Sequence, residues 1–198
     1  MNFSFIFIGS THGFIDDFQK QKEIIELTKP EFVLCEELED FKLDSKDKFD
    51  ELLKKSKISN MTSFNEVEEI IRLCYKNHIK LIGIDFHNFG FNEGLQKKIK
   101  SQEELTKEEE EELNKITKLR EEYHLSKILE YKKKTSRPIV ILVGCWHLRE
   151  KSLLREKVNN YKVILPCNKE GKPLFSPDED KNLSYMEIVS NESQNKKN

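Results

Sequence analysis

The sequence has few of the residues that would place it in a specialised class of protein. Only four of its 198 residues are cysteines, and none forms the C-x-x-C spacing of a zinc or redox site. We therefore expect packed, reduced thiols in a cytoplasmic protein rather than a disulfide framework. The 34 Lys and Arg residues nearly balance the 36 Asp and Glu residues, for a net charge of −2, so the chain has no general attraction for nucleic acid or a membrane surface.

Long apolar segments are also missing. No apolar run approaches the roughly 20 residues that a membrane-spanning helix requires. The first ten residues, MNFSFIFIGS, contain a short apolar run without a basic segment before it, which is typical of neither a signal peptide nor a membrane span. We expect a soluble protein whose partner is a peptide or a small molecule, with no nucleic acid and no membrane.

Short apolar runs that alternate with amphipathic segments indicate an α/β fold. The runs predict strands at residues 3–8, 32–35, 81–85, 139–143 and 161–165, with a further strand at 185–189. Such continuous apolar runs are typical of strands that are buried on both faces. The alternation with helices predicts parallel pairing and right-handed crossovers. The predicted fold is thus a mainly parallel central sheet with helices packed on it.

The helices follow from the spacing of apolar residues between these strands. They are predicted at about 16–28, 46–56, 64–74 and 148–158, with a long solvated segment at about 102–134. The long segment is either one helix or two helices joined near Thr117. Asp16 or Asp17 is placed to cap the first helix, and the composition of residues 86–94 predicts a loop.

A glycine followed three residues later by a histidine ends two of the predicted strands. Motif one is Gly9 to His12 in FIFIGSTH, and motif two is Gly144 to His147 in ILVGCWH. Each motif is followed by a predicted helix and a second strand. We therefore predict two copies of one β-α-β unit, separated by a helical insertion. The predicted divisions are repeat one at 3–37, the insertion at 44–136, repeat two at 138–166, a single domain at 1–167, and a polar, partly disordered extension at 168–198.

Four side chains that can take part in chemistry follow predicted strands. They are His12, Glu36, Asp85 and His147. The carboxyl ends of parallel strands line the crevice where ligands bind. If the first strand and the strand at 139–143 are neighbours, the two histidines share one cleft.

Two chemical alternatives follow for this cleft. His12, His147 and Glu36 form a nitrogen and oxygen set that suits a divalent metal such as Mn²⁺, Co²⁺ or Zn²⁺. Alternatively, one histidine activates water as a general base while the other stabilises charge. Arg120 requires an acidic partner or an anionic substrate group, and Glu36 is the first candidate. Arg120 then either acts in the site or tethers the long helix to that carboxylate.

Three further residues are predicted to bind substrate. Trp146 is expected on the floor of the cleft, Asp85 either in the site or as a turn cap, and Glu37 either as a substitute for Glu36 or as a cap. Outside the motifs, His87 and His124 are interpreted as solvent-exposed. Cys145 is interpreted as packed in the interior and not as a nucleophile.

The two motifs and the residues between them resemble the TraB/PrgY superfamily, which includes TIKI proteases, GumN-like proteins, erythromycin esterases and ChaN-like haem-binding proteins. Beside the motifs, the matching residues are Glu36 in PEFVLCEEL and Arg120 in REEYH. His124 stands where the family has methionine, and Phe86 stands where it has arginine. The resemblance covers residues 5 to about 165.

The resemblance implies one of two functions. The first is a hydrolase of peptide or ester bonds, with His12, Glu36, Arg120 and His147 as catalytic residues, which works with a divalent metal or by direct activation of water. The second is a non-catalytic protein that binds and sequesters a peptide or small ligand in the same cleft.

Overall fold

A computed structural model describes residues 3–11, 15–55, 65–101, 103–174 and 184–190. In these residues the chain forms an α/β fold with one seven-stranded sheet and six α-helices. The strands are β1 (Phe5–Ser10), β2 (Phe32–Cys35), β3 (Lys42–Leu43), β4 (Lys80–Gly83), β5 (Ile139–Gly144), β6 (Tyr161–Cys167) and β7 (Ser184–Ser190). The helices are α1 (Ile15–Thr28), α2 (Lys46–Lys55), α3 (Glu66–Lys76), α4 (Glu93–Ser101), α5 (Lys107–Lys132) and α6 (Leu153–Lys157). The predicted fold class is confirmed.

The strand order in the sheet is β3-β4-β2-β5-β1-β6-β7. The five inner strands are parallel, and the edge strands β3 and β7 are antiparallel to their neighbours. β5 lies between β1 and β2, and Ser10 at the end of β1 pairs with Gly144 at the end of β5. The two strands that carry the G-x-x-H motifs are therefore neighbours, as a shared cleft requires.

Helices cover both faces of the sheet, which explains why the inner strands are continuous apolar runs. All six residues of β1 and all six of β5 are buried. Apolar residues of α5 and α6 pack on one face. Residues of α1, α2 and α3 pack on the other face. The core thus consists of two apolar layers, one on each side of the parallel strands.

The two predicted β-α-β units cross the sheet in opposite directions. The chain passes from β1 to β2 over β5, and from β5 to β6 over β1. The connections differ in length, because α1 has 14 residues and α6 has five. The predicted duplication and the helical insertion therefore stay predictions.

Several predicted elements have different bounds in the structure. The long acidic segment is one helix, α5, which begins at a capping box formed by Thr106 and Glu109. α4 begins inside the predicted loop, at Glu93. The helix predicted at 148–158 is wrong over its first half, because a 3-10 turn ends at Leu148, residues 149–151 are a bend and turn, and α6 begins after the Ser152 cap. The strand predicted near the C-terminus is confirmed as β7, so this part of the predicted extension belongs to the sheet.

Candidate functional site

The carboxyl ends of β1, β2 and β5 open into a cleft of about 370 Å³. Four of the residues predicted for the site line it, namely Glu36, Arg120, Trp146 and His147. Thr11, the residue before His12, also lines the cleft. His12 itself lies outside the described residues. The parallel sheet therefore brings the end of motif two together with Glu36 and with Arg120 of α5, although these residues lie far apart in the sequence.

Five buried ionisable side chains form what we call the charged cluster: Glu36, Asp85, Arg120, Glu121 and His147. Arg120 joins its two acidic neighbours, because its Nη2 lies 2.5 Å from Glu36 Oε1 and 2.5 Å from Asp85 Oδ2. Its Nε donates a second hydrogen bond to Asp85, at 2.9 Å. The predicted contact between Arg120 and Glu36 is confirmed, and Asp85 is an additional partner.

Glu36 connects Arg120 to motif two. Its Oε2 accepts a hydrogen bond of 2.6 Å from the backbone N–H of Gly144, and its Oε1 lies 3.5 Å from Nε2 of His147. Burial raises the pKa of the Glu36 carboxyl, but the charge and hydrogen bond of His147 and the charge of Arg120 outweigh burial and hold it well below its ordinary value. Glu36 is therefore a buried carboxylate anion.

His147 lies between two carboxylates. Its Nδ1 is 3.3 Å from Glu121 Oε1, and Nε2 faces Glu36. Burial lowers the pKa of His147, but the charge of Glu36 and the hydrogen bonds to Glu121 and Glu36 together raise that pKa to about 9. A pKa raised to this level favours the imidazolium at neutral pH, with a proton on each nitrogen. An imidazolium can donate a proton, but it cannot accept one or bind a metal.

Glu121 is a member of the charged cluster that the sequence analysis missed. It is buried, and it accepts hydrogen bonds from Arg149 and from the backbone N–H of Leu153 as well as from His147. Burial raises its pKa, whereas His147, Arg149 and Leu153 lower it, and the net change is downward. Glu121 therefore fixes the imidazolium of His147 and the N-terminus of α6 at once.

His124 is fully buried, so the prediction that it is solvent-exposed is wrong. The buried residues of α5 follow the three- and four-residue spacing of one helix face. They are Thr117, Arg120, Glu121, His124, Ile128 and Tyr131. Nε2 of His124 lies 3.3 Å from Asp85 Oδ2, off the direction of a linear hydrogen bond, and its ring meets that of His147 edge to face at 5.0 Å. By contrast, His87 is exposed, as predicted.

A second group of polar residues, buried except for the half-buried Tyr185, surrounds the end of β1. We call it the motif-one cluster: Ser10, Thr11, Asp17, Gln21, Glu66 and Tyr185. Asp17 accepts hydrogen bonds from the backbone N–H and the hydroxyl of Thr11, at 2.7 and 2.8 Å, and from the Tyr185 hydroxyl, at 2.7 Å. The side chain of Asp17 thus binds the residue that precedes His12.

The remaining predicted residues lie at different depths around the cleft. Asp85 is fully buried behind Arg120, so it positions Arg120 and does not line the cleft. Glu37 is partly exposed and lines a separate cavity of about 20 Å³. Trp146 is half exposed at the cleft. Cys145 is buried, and burial raises the pKa of its thiol, which agrees with a packing role.

Of the three predicted metal ligands, Glu36 and His147 lie in the described residues and His12 lies outside them. Within the described ranges, no group of three or more His, Cys, Asp or Glu side chains is arranged to hold a metal ion. Both oxygens of Glu36 already accept hydrogen bonds, and both ring nitrogens of His147 face carboxylates. A divalent ion at Glu36 would also lie beside the charge of Arg120. In this arrangement Glu36 and His147 therefore do not fit a metal.

Among the described helices, none is both long enough and apolar enough to cross a membrane. No protein-family model, curated protein or solved structure matches the chain. The resemblance to the TraB/PrgY superfamily consequently stays a prediction from the motifs.

Proposed function

We propose that the protein is a hydrolase of peptide or ester bonds that activates water without requiring a metal. One observation carries this proposal: two desolvated cations, Arg120 and His147, both contact Oε1 of Glu36 at the wall of the cleft. Cations that are already held in position in a poorly hydrated site stabilise an oxyanion strongly, because little reorganisation is needed when negative charge develops.

The proposed reaction begins when a base takes a proton from water and the hydroxide adds to the substrate carbonyl carbon. We assign the base to His12, the histidine of motif one, because the proposal gives His147 the role of the acid. The carbonyl oxygen becomes an oxyanion that faces Arg120, whose bonds to Glu36 and Asp85 use Nε and Nη2, so that Nη1 remains for a cleft occupant. His147 then gives a proton to the leaving oxygen or nitrogen, the bond to the carbonyl carbon breaks, and an acid and an alcohol or amine are released. The base returns its proton to water, and His147 takes up a proton from water, which restores both groups for the next turnover.

The sheet topology also supports the proposed duplication and the TraB/PrgY relationship. The two β-α-β units interleave, since each one passes over the first strand of the other. The helices of the two units pack on opposite faces of the sheet, α1 on one and α6 on the other. Two copies related by a twofold axis between β1 and β5 would have this arrangement.

A second candidate is a binding protein that sequesters a peptide or small ligand. It is favoured by the state of Glu36, because both carboxylate oxygens are already bonded and neither is free to act on a substrate. In this alternative, the charged cluster only holds the cleft open and rigid, and Trp146 contacts the ligand.

Turnover of a panel of chromogenic esters and peptide amides distinguishes the two candidates. We expect the wild-type protein to hydrolyse at least one substrate class, with and without EDTA. His147→Gln should lower kcat by about 10²-fold or more, because a positioned acid contributes about that much. His87→Gln is the matched control, since this histidine is exposed, and it should leave kcat unchanged.

Three outcomes would contradict parts of the proposal. Saturable binding of a substrate without turnover would favour the sequestering protein. Loss of turnover in EDTA, with recovery on addition of Mn²⁺, Co²⁺ or Zn²⁺, would establish the metal-dependent alternative. Equal turnover by the His147→Gln variant would remove this histidine from the reaction.

A further inference from the structure

The segment between β4 and α4 brings aromatic side chains to the charged cluster. Residues 86–91, which we call the aromatic loop, contain Phe86, Phe89 and Phe91. The ring of Phe86 stacks on Tyr123 of α5, with centroids 4.4 Å apart. The rings of Phe89 and Phe91 lie 5.0 and 5.7 Å from the guanidinium carbon of Arg120. Both distances are typical of cation–π contacts.

The backbone of the aromatic loop is strained at its centre. Phe89 has a φ of 55° and Gly90 a φ of 73°. A left-handed conformation is unfavourable for phenylalanine, and such strain persists only where the surrounding contacts fix it. Here the Phe86 stack anchors one end of the loop, and the rings on Arg120 fix its centre. These contacts hold the rings of Phe89 and Phe91 beside the guanidinium of Arg120.

Phe91 and Trp146 both line the cleft. Trp146 is 51% exposed, and the guanidinium carbon of Arg149 lies 5.1 Å from its ring. Each aromatic residue thus has a cation beside it and also borders the open volume. Rings that border a cleft in this way can stack against an aromatic or apolar group of a bound molecule.

The charges around the cleft favour a neutral ligand group. The three buried carboxylates Glu36, Asp85 and Glu121 already contact the basic side chains of Arg120, Arg149 and His147. A ligand with a permanent charge would have to compete with these contacts in a poorly hydrated site, which is costly. A neutral acyl group with an aromatic side chain adds no charge.

We propose that Phe91 and Trp146 form a subsite for an aromatic or large apolar group next to the carbonyl on which the enzyme acts. The inference deepens the proposed hydrolase function and rests on it, because the molecule bound at this subsite is a substrate only if the protein is a hydrolase. The carbonyl would face Arg120 and His147, while the neighbouring side chain stacks between the two aromatic residues. The preferred substrates are then neutral N-acylated esters or amides of aromatic amino acids, rather than phosphorylated or highly charged compounds.

The single tryptophan of the chain is Trp146, so its fluorescence reports binding at this subsite without any turnover. The full-length protein is titrated with two neutral probes, N-acetylphenylalaninamide and N-acetylglycinamide. We expect saturable change in emission with the first probe, and a dissociation constant at least about tenfold lower than with the second. Phe91→Ala should remove this tenfold preference. Phe41→Ala is the control, since Phe41 is an exposed phenylalanine that does not line the cleft.

Phe91→Leu covers the case in which Phe91→Ala does not fold. It keeps apolar volume but loses the ring, and it should lower the preference by about threefold or more. Equal binding of the two probes, or a preference unchanged in a folded Phe91 variant, would overturn the subsite. Preference without hydrolysis of the corresponding methyl esters would leave the subsite in place and refute the hydrolase. Hydrolysis of the methyl esters without a preference between the two probes would support the hydrolase and refute the subsite.

Discussion

The polar groups at the ends of β1 and β5 are stabilised by different chemistry, although the two strands are neighbours and both carry a G-x-x-H motif. In the charged cluster beside β5, Arg120 and His147 compensate buried carboxylates. In the motif-one cluster beside β1, the donors to Asp17 are hydroxyls and a backbone N–H. The first arrangement depends on charge and therefore on pH, whereas the hydrogen bonds to Asp17 come from donors that stay neutral.

The glycines of the two motifs also have different roles. A Cβ atom on Gly9 would lie 2.6 Å from Cδ2 of Leu165 and 3.0 Å from Sγ of Cys145, so this glycine is required for close packing. Gly144 instead supplies its N–H to Glu36, and its φ of −56° is open to other residues. A repeated sequence motif therefore has one role as a packing element and another as a hydrogen-bond donor to the site.

The largest effect is expected when the charged cluster loses its central cation. Arg120→Gln would leave Glu36 and Asp85 buried beside each other without the guanidinium, and the free energy of unfolding should fall by about 3–5 kcal/mol. Urea unfolding monitored by circular dichroism measures this change. Arg72→Gln, which removes an i,i+4 pair with Glu68 on the surface of α3, is the control and should change little. A loss below about 1 kcal/mol for Arg120→Gln would mean that the cluster is not desolvated.

The pH dependence of stability is the next largest effect. The pKa of His147 is about 9 in the folded protein against 6.5 for an ordinary histidine. A raised pKa stabilises the folded state fully below pH 6.5, and this contribution is lost as the pH rises through 9. The difference corresponds to roughly 3 kcal/mol. We expect urea midpoints of the wild-type protein to fall over this interval.

His147→Gln isolates this contribution, because all other titrating groups are shared with the wild type. The difference in stability between the two proteins should therefore shrink from pH 6 to pH 10. A constant difference would contradict the raised pKa. On the acidic side, the pKa values of Glu36, Asp85 and Glu121 are lowered, so their contribution is present above their ordinary pKa values and is lost as the pH falls through the lowered ones.

The smallest effect is expected in the motif-one cluster. Tyr185→Phe removes the hydroxyl that donates to Asp17 Oδ1, and we expect a loss of about 1 kcal/mol. Burial and the charge of Asp17 raise the pKa of Tyr185, so this loss should be the same at pH 6 and pH 9. Tyr75→Phe, whose hydroxyl donates to Asp50 at a more exposed position, is the control with a smaller loss. A loss from Tyr185→Phe that varied over this pH range would remove the contrast between the clusters.

Much of the sheet could be predicted because its inner strands are buried on both faces and therefore leave continuous apolar runs in the sequence. β3 left no such signal, since it has only two residues. The helix predicted from residue 148 begins only at Leu153, because Leu148 ends the 3-10 turn that follows β5 and Ser152 caps α6. β7 could be predicted from the short apolar stretch at residues 185–189, and it is exposed or half-buried because it lies at the edge of the sheet.

The site was predictable where residues followed strands and less so where they lay on helices. Glu36, Asp85 and His147 come directly after apolar runs. Glu121 was hidden in a helix rich in acidic residues, where a solvated face is the ordinary interpretation. The signal that could have revealed it is helical spacing: Thr117, Arg120, Glu121 and His124 recur at intervals of three and four. Asp17 resembled a helix cap, and only the fold brings Tyr185 to it.

The position of β5 between β1 and β2 has a consequence for the order of synthesis. Both strand neighbours of β1, which are β5 and β6, lie more than 130 residues later in the chain. On the ribosome, β1 must therefore wait as an unpaired apolar segment until most of the chain has been made. Such long-range pairing makes folding slow and leaves the nascent chain open to association with other chains. A chaperone that binds the first ten residues would protect the protein during the interval when it is most vulnerable.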